Sequence, residues 1–352
     1  MEALARWLPR LAARIPRVPL GDWPTPIEPV RIDGGVVWVK DEGRSNARYG
    51  GNKIRTLEVW LGHARDRGAR RIWALGAYGS NHAIATLLHA PAAGLEAGAI
   101  LFPQPTNEWA IENCGALLAS GSPIIGLRHI AELPLAALRV SRERGALVMP
   151  PGGATPIGTL GALSAAFELA EQIEAGACAP PRRIVLAIGS TCTTAGLLAG
   201  LALAHAAGAW RWPLPIVHGV RVTPWPVTSR LRIANLARRT LARVEQLGGP
   251  HVAIALAELA RRLVVDGGEI GPGYGQLTER AAQAALALRG PRLDGVYSGK
   301  AAAALLRLHR AGVGPLLFWS SKSTAVLPPP ALDAIRGAPR LLRNWLATTS
   351  SE

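Results

Sequence analysis

The chain has 352 residues, 49% hydrophobic and 18% charged, with a formal net charge of +15. That length and apolar content exclude a disordered or fibrous chain and favour two lobes over one. No apolar run reaches the ~18 residues of a membrane helix, and the three cysteines, Cys114, Cys178 and Cys192, lack zinc-site spacing and suit a reducing, cytoplasmic setting.

In chain order, residues 1–24 thread arginines through an apolar stripe and lack a compact hydrophobic segment before a small-residue cleavage site. They read as a short amphipathic arm packed on the body, not a secretory signal. Val36-Val37-Trp38-Val39 predicts a strand. Residues 54–67 have helical period, with Leu57, Trp60, Leu61 and Ala64 on one face. Strands are predicted at 71–75, 99–102 and 123–127, with helices over 81–89, 108–120 and 161–175. Residues 183–188 form a nearly pure apolar run, as a central parallel strand buried on both faces requires. That run ends in Gly189-Ser190 before a small-residue helix over 195–207. Residues 216–222 continue the pattern, and 315–319 form a late strand before a Ser-rich turn. Strand–helix alternation of this kind predicts an α/β fold with parallel sheets flanked by helices and joined by right-handed crossovers. Pro150-Pro151-Gly152-Gly153 and Pro180-Pro181 read as linkers, and 224–247 carries no motif.

Only four of the 39 basic residues are lysine: Lys40, Lys53, Lys300 and Lys322. The arginines and the 11 tryptophans are dispersed along the chain. Nucleic-acid proteins cluster such residues, so the charge reads as solvated helix faces and no nucleic-acid partner is expected.

Three segments could carry chemistry. Lys53 follows Gly50-Gly51-Asn52 at a loop-to-helix junction, near an anion site or simply in solvent. Ser80-Asn81-His82 opens a helix after a strand, where a carboxylate or phosphate could bind, or where Ser80 or Asn81 merely caps. Gly189-Ser190-Thr191-Cys192-Thr193-Thr194 reads as an anion cradle or as a hydroxyl-rich cap on a buried helix.

In this order and spacing, the segments resemble the D-cysteine desulfhydrase / 1-aminocyclopropane-1-carboxylate deaminase family. These are pyridoxal-phosphate enzymes of the two-lobed tryptophan-synthase β-like fold (fold type II). The similarity begins at Val18-Pro19-Leu20-Gly21 and runs through Gly50-Gly51-Asn52-Lys53 and Gly79-Ser80-Asn81-His82. It continues in Pro151-Gly152-Gly153, Gly273-Tyr274-Gly275 and Val296-Tyr297-Ser298-Gly299-Lys300. The resemblance implies that Lys53 holds pyridoxal 5'-phosphate through its amine and carries a proton. It implies that Ser80 receives the substrate carboxylate, that Asn81 meets the cofactor ring oxygen, and that His82 lines the pocket. The turn from Gly189 through Ser190, Thr191, Cys192 and Thr193 would hold the cofactor phosphate, and Tyr274 and Tyr297 would flank a small amino-acid substrate. A larger cofactor-binding lobe (1–54 and 155–352), a smaller α/β lobe (55–154) and a homodimer are implied as well.

Two segments depart from the family pattern. Thr191 and Cys192 replace glycines of a Gly-Ser-Gly-Gly-Thr loop, and Ser320-Ser321-Lys322-Ser323 replaces His-Thr-Gly-Gly. Ser321 keeps a hydroxyl for the cofactor's pyridine nitrogen; Lys322 either puts a charge beside the site or forces the turn to change. The expected function is a lyase or deaminase that releases a keto acid and ammonia from a small amino acid by β-elimination or ring opening. The alternatives are a related cofactor enzyme with a shifted substrate or reaction, and a catalytically silent ligand-binding protein.

Overall fold

The computed structural model describes residues 1–347. Its ten strands are β1 (Ile27–Ile32), β2 (Gly35–Asp41), β3 (Arg71–Ala77), β4 (Glu96–Phe102), β5 (Ile124–Gly126), β6 (Ala146–Met149), β7 (Arg183–Ile188), β8 (Ile216–Arg221), β9 (Leu263–Asp266) and β10 (Leu316–Ser320). They form a six-stranded sheet in the order β1-β2-β10-β7-β8-β9 and a four-stranded sheet in the order β5-β4-β3-β6. Every pairing is parallel except β1 with β2. That edge hairpin turns on Asp33 and Gly34, both at positive φ (49° and 78°), the backbone of a two-residue primed turn. The Asp-Gly pair announces it in the sequence, although alternation alone suggests only parallel strands.

Most predicted elements form within a few residues of their expected bounds. The N-terminal arm is two short helices, Glu2–Trp7 and Pro9–Arg14, which bury Leu4 and Leu11 in the core of the larger sheet. The helix expected from 195 begins three residues earlier, at Cys192, because Thr191 takes a left-handed turn (φ 73°) and starts it there. Residues 224–247, featureless in sequence, contain the helix Arg230–Gln246. No helix among the described residues is long and apolar enough to cross a membrane.

The chain passes between the two sheets three times. It leaves β2 for the helix Lys53–Asp66, whose Leu57, Leu61 and Ala64 join the core of the smaller sheet. It returns after β6 through Pro151–Gly153 to the helix Thr159–Glu174. After β10 it crosses again, to the helices Leu332–Gly337 and Arg340–Ala347, where Leu342 is buried beside the smaller sheet.

The Lys53 helix is fixed from below by a neutral cluster of four buried charges. Arg55 donates to Glu42 (Nε to Oε2, 2.6 Å) and to Glu168 (Nη1 to Oε2, 3.0 Å), and Lys40 Nζ donates to Glu168 Oε1 at 2.7 Å. Burial alone would raise the Glu168 pKa; Arg55 and Lys40 overcome it and hold the carboxyl well below the usual carboxylate range. Gly161 lets the Thr159 helix lie against this region, because a Cβ there would stand 1.8 Å from the Arg55 carbonyl oxygen.

Candidate active site

A cleft of about 580 Å3 lies where the two sheets meet. Its walls come largely from the C-terminal ends of parallel strands: Ala77 at the end of β3 with Ser80, Asn81 and His82 beyond it, Phe102 and Pro103 at β4, Gly189 to Thr194 beyond β7, Thr223 to Trp225 beyond β8, and Ser321 beyond β10. Open α/β sheets place their ligand sites at these strand ends.

Lys53 is the first residue of its helix, and its Nζ reaches the Ser190 hydroxyl at 3.2 Å. Burial lowers its pKa, so the neutral amine is easier to reach than on a free lysine. Gly152 makes this approach possible: at φ 63°, a Cβ there would lie 2.1 Å from the Ser190 side chain and 3.4 Å from Lys53 Nζ.

Ser80 caps the Asn81–His89 helix, its Oγ accepting from Ala83 N at 3.2 Å. The cap uses a lone pair, so the hydroxyl hydrogen is still available to an acceptor in the cleft. Asn81 lines the same wall. His82 is buried, and neither ring nitrogen has a hydrogen-bond partner among the described residues. Burial, with the Lys53 charge added, takes its pKa down to about 3, so the ring is neutral.

Opposite this wall the Cys192–Ala206 helix points its N-terminus at the cleft with no side-chain cap. A 15-residue helix with uncapped amides is a ready anion site. Thr191 preserves the left-handed turn that a glycine would supply, so the backbone path survives the substitution. The Cys192 side chain turns below the cleft, with Sγ 3.5 Å from Thr56 Oγ1 and 3.6 Å from the Gly153 carbonyl oxygen. What Cys192 offers a ligand is therefore its amide. Asn52 Nδ2 donates to Thr193 Oγ1 at 2.9 Å, tying the Lys53 loop to this turn.

Tyr274 and Tyr297 also line the cleft, their hydroxyls 2.6 Å apart. Burial raises both phenols, Tyr297 well above its ordinary value, so both are neutral donors near pH 7. Lys300 supports the first, donating Nζ to the Ile270 carbonyl (2.8 Å) in the loop leading to it. Asp294, which the motif reading passes over, supports the second: its Oδ1 accepts from the amides of Val296 (3.0 Å) and Tyr297 (2.6 Å). An acidic residue placed just before a helix start was the available signal. Trp225 and Arg232, from the unplaced segment, and His129 complete the rim.

A lysine amine in a buried cleft, an uncapped helix N-terminus facing it and an orphaned imidazole fit a phosphorylated aromatic aldehyde. Comparison with known proteins agrees. The chain belongs to the pyridoxal-phosphate dependent enzyme family, whose model matches residues 18–314. Its cofactor is pyridoxal phosphate, and its fold is the type II, tryptophan-synthase β-like α/β fold.

Within that family it is 34% identical over 325 residues to nocardicin C-9' epimerase of Nocardia uniformis subsp. tsuyamanensis, covering 88% of this chain and 93% of the relative. It is 30% identical over 335 residues to D-cysteine desulfhydrase of Salmonella newport, with 87% and 93% covered. A solved structure of an ACC deaminase homologue superposes with a TM-score of 0.71 at 30% identity, covering 92% of this chain and 95% of that one. The family thus spans lyases and deaminases as well as an epimerase.

Proposed function

We propose that this chain acts on a small amino acid in one of two ways, removing the α-proton and expelling a β-substituent, or opening a strained ring on a substrate that has no α-proton; water then releases a keto acid and ammonia. The observation that carries this is the Lys53 amine, lowered in pKa by burial and held 3.2 Å from Ser190 in a cleft walled by Ser80, Asn81 and His82. D-cysteine and 1-aminocyclopropane-1-carboxylate are the first substrates to try, on the strength of the named relatives.

Bound pyridoxal phosphate supplies the electron sink for the pair left on the substrate α-carbon. The amides and hydroxyls from Gly189 to Thr193 would hold its phosphate, Ser321 would meet its ring nitrogen, and Asn81 its ring oxygen; all of them line the cleft. Where the substrate has an α-proton, Lys53 Nζ takes it, and a pKa lowered by burial suits the amine to that task. The Ser80 hydroxyl donates to the substrate carboxylate and fixes the α-carbon beside Nζ. The Tyr274–Tyr297 pair, neutral and hydrogen-bonded, is a proton donor to the departing group. Two lobes, 1–54 with 155–352 and 55–154, a homodimer and a cytoplasmic location complete the proposal, and the C-terminal helices of the first span pack on the second. Three unpaired cysteines accord with a reducing compartment.

The 34% identity to an epimerase favours one second reading, in which the proton returns to the opposite face and nothing is expelled. Two measurements decide. Protein purified with pyridoxal phosphate should show the visible absorption of lysine-held cofactor, and Lys53→Ala should lose it; a colourless wild type would overturn both readings. D- and L-amino acids are then incubated in deuterated water. Keto acid with ammonia supports elimination, whereas α-deuteration with inversion and no keto acid supports epimerisation.

A further inference from the structure

Lys322 stands where the resemblance leads one to expect glycine, and the structure buries it at 2% exposure. Its Nζ lies 3.3 Å from Asn81 Oδ1 and 3.4 Å from Asn113 Oδ1, with the Trp109 ring centre at 5.5 Å. It forms no ion pair with a carboxylate among the described residues.

Asn81 Oδ1 thus receives three donors: the Tyr49 hydroxyl at 2.7 Å, Asn113 Nδ2 at 3.0 Å, and Lys322. The three differ in what they could accept. A phenol can reverse its hydrogen bond, and a carboxamide can flip. Asn113 is itself oriented by donating to the Gly79 carbonyl at 2.9 Å. A lysine has donors and no acceptor while charged, so it cannot face an amide nitrogen. Lys322 therefore excludes the flipped state of Asn81 and leaves Nδ2 as the atom offered to the cleft.

We propose that Lys322 is a positioning residue: a buried cation behind Asn81 that keeps Nδ2 toward the cleft and makes that position receptive to an anionic oxygen of the cofactor. The inference rests on the function proposed above.

Several charges bear on it. Burial lowers the Lys322 pKa, while Asp294 and Glu112 raise it and Arg292 lowers it. Arg292 is itself engaged by Glu112 in a two-oxygen pair at 2.9 Å. Burial keeps the Tyr49 phenol neutral. On the cleft side of Asn81 stand Lys53, His82 and Tyr297. A fixed cation lowers the proton affinity of whatever it faces.

The test is a pH titration of the visible spectrum of the cofactor-loaded wild type, Lys322→Met and Lys322→Gln. Removing the cation should move the spectral midpoint up by about one pH unit in both variants. Glutamine keeps a donor without charge, so it controls for a packing defect and serves alone if the methionine variant does not fold. A loaded variant with the wild-type midpoint overturns the inference and leaves the proposed function standing. A wild type without visible absorption would instead remove the proposed function, and this inference with it.

Discussion

Thr191 holds φ at 73°, a region that β-branched side chains rarely occupy. The cost is of order 1–2 kcal/mol, and the return is a turn that aims a helix N-terminus at the cleft. Thr191→Gly should remove that strain against a loss of up to about 1 kcal/mol in unfolded-chain entropy. It should therefore match or exceed wild-type stability in urea, unlike most glycine substitutions at buried sites. His82 carries a pH signature. Its folded pKa of about 3 lies below the ~6.5 of an unfolded histidine. The stability it contributes is complete above about pH 6.5 and is lost as pH falls toward 3, amounting to about 2 kcal/mol at pH 5. His82→Gln should narrow the difference between urea unfolding at pH 7.5 and pH 5 by that order. The lysines were legible as singular because the chain has so few. Their partners were not: nothing in Lys40, Lys300 or Lys322 as letters says that one pairs with Glu168, one holds the Ile270 carbonyl and one backs Asn81.

Among elements, the Lys53 helix depends on the buried cluster beneath it. Glu168→Gln would leave Lys40 and Arg55 facing Glu42 alone, and stranding a buried charge costs about 3–5 kcal/mol. A large drop in thermal midpoint is expected, together with weaker cofactor retention, because Arg55 lies two residues beyond Lys53. Since the folded pKa of Glu168 is depressed, its contribution is present above about pH 4.3 and fades as pH falls below that. Strongly periodic elements were readable: the 53–66 helix and β7 announce themselves by an apolar stripe and an apolar run. The short strands β6 (Ala146–Met149) and β9 (Leu263–Asp266) were not read from the sequence. The Arg230–Gln246 helix is amphipathic but arginine-rich, and no chemical motif drew attention to it. Its Arg232 and the neighbouring Trp225 nevertheless reach the rim of the cleft.

For the molecule as a whole, cofactor and stability should be linked. A ligand that binds only the folded state at 100 times its Kd adds about 2.7 kcal/mol. The thermal midpoint should therefore rise with pyridoxal phosphate concentration, and the rise should shrink sharply in Lys53→Ala. The formal charge of +15 includes buried groups: Lys40, Arg55, Lys300 and Lys322 are buried and Lys53 lines the cleft, so the exterior basic side chains are arginines.

Each of the three passages between the sheets touches the cleft: Asn52 and Lys53 on the first, Pro150 to Gly152 on the second, Ser321 on the third. Three tethers gathered at one cleft would behave as the pin of a door. Were the smaller sheet to swing, Lys53 would lie close to the pin and hardly travel. Ser80, Asn81 and His82, carried on the swinging leaf, would sweep toward it. A substrate gripped by Ser80 would thus be delivered to a stationary amine, which keeps the proton-transfer distance insensitive to how far the door stood open beforehand.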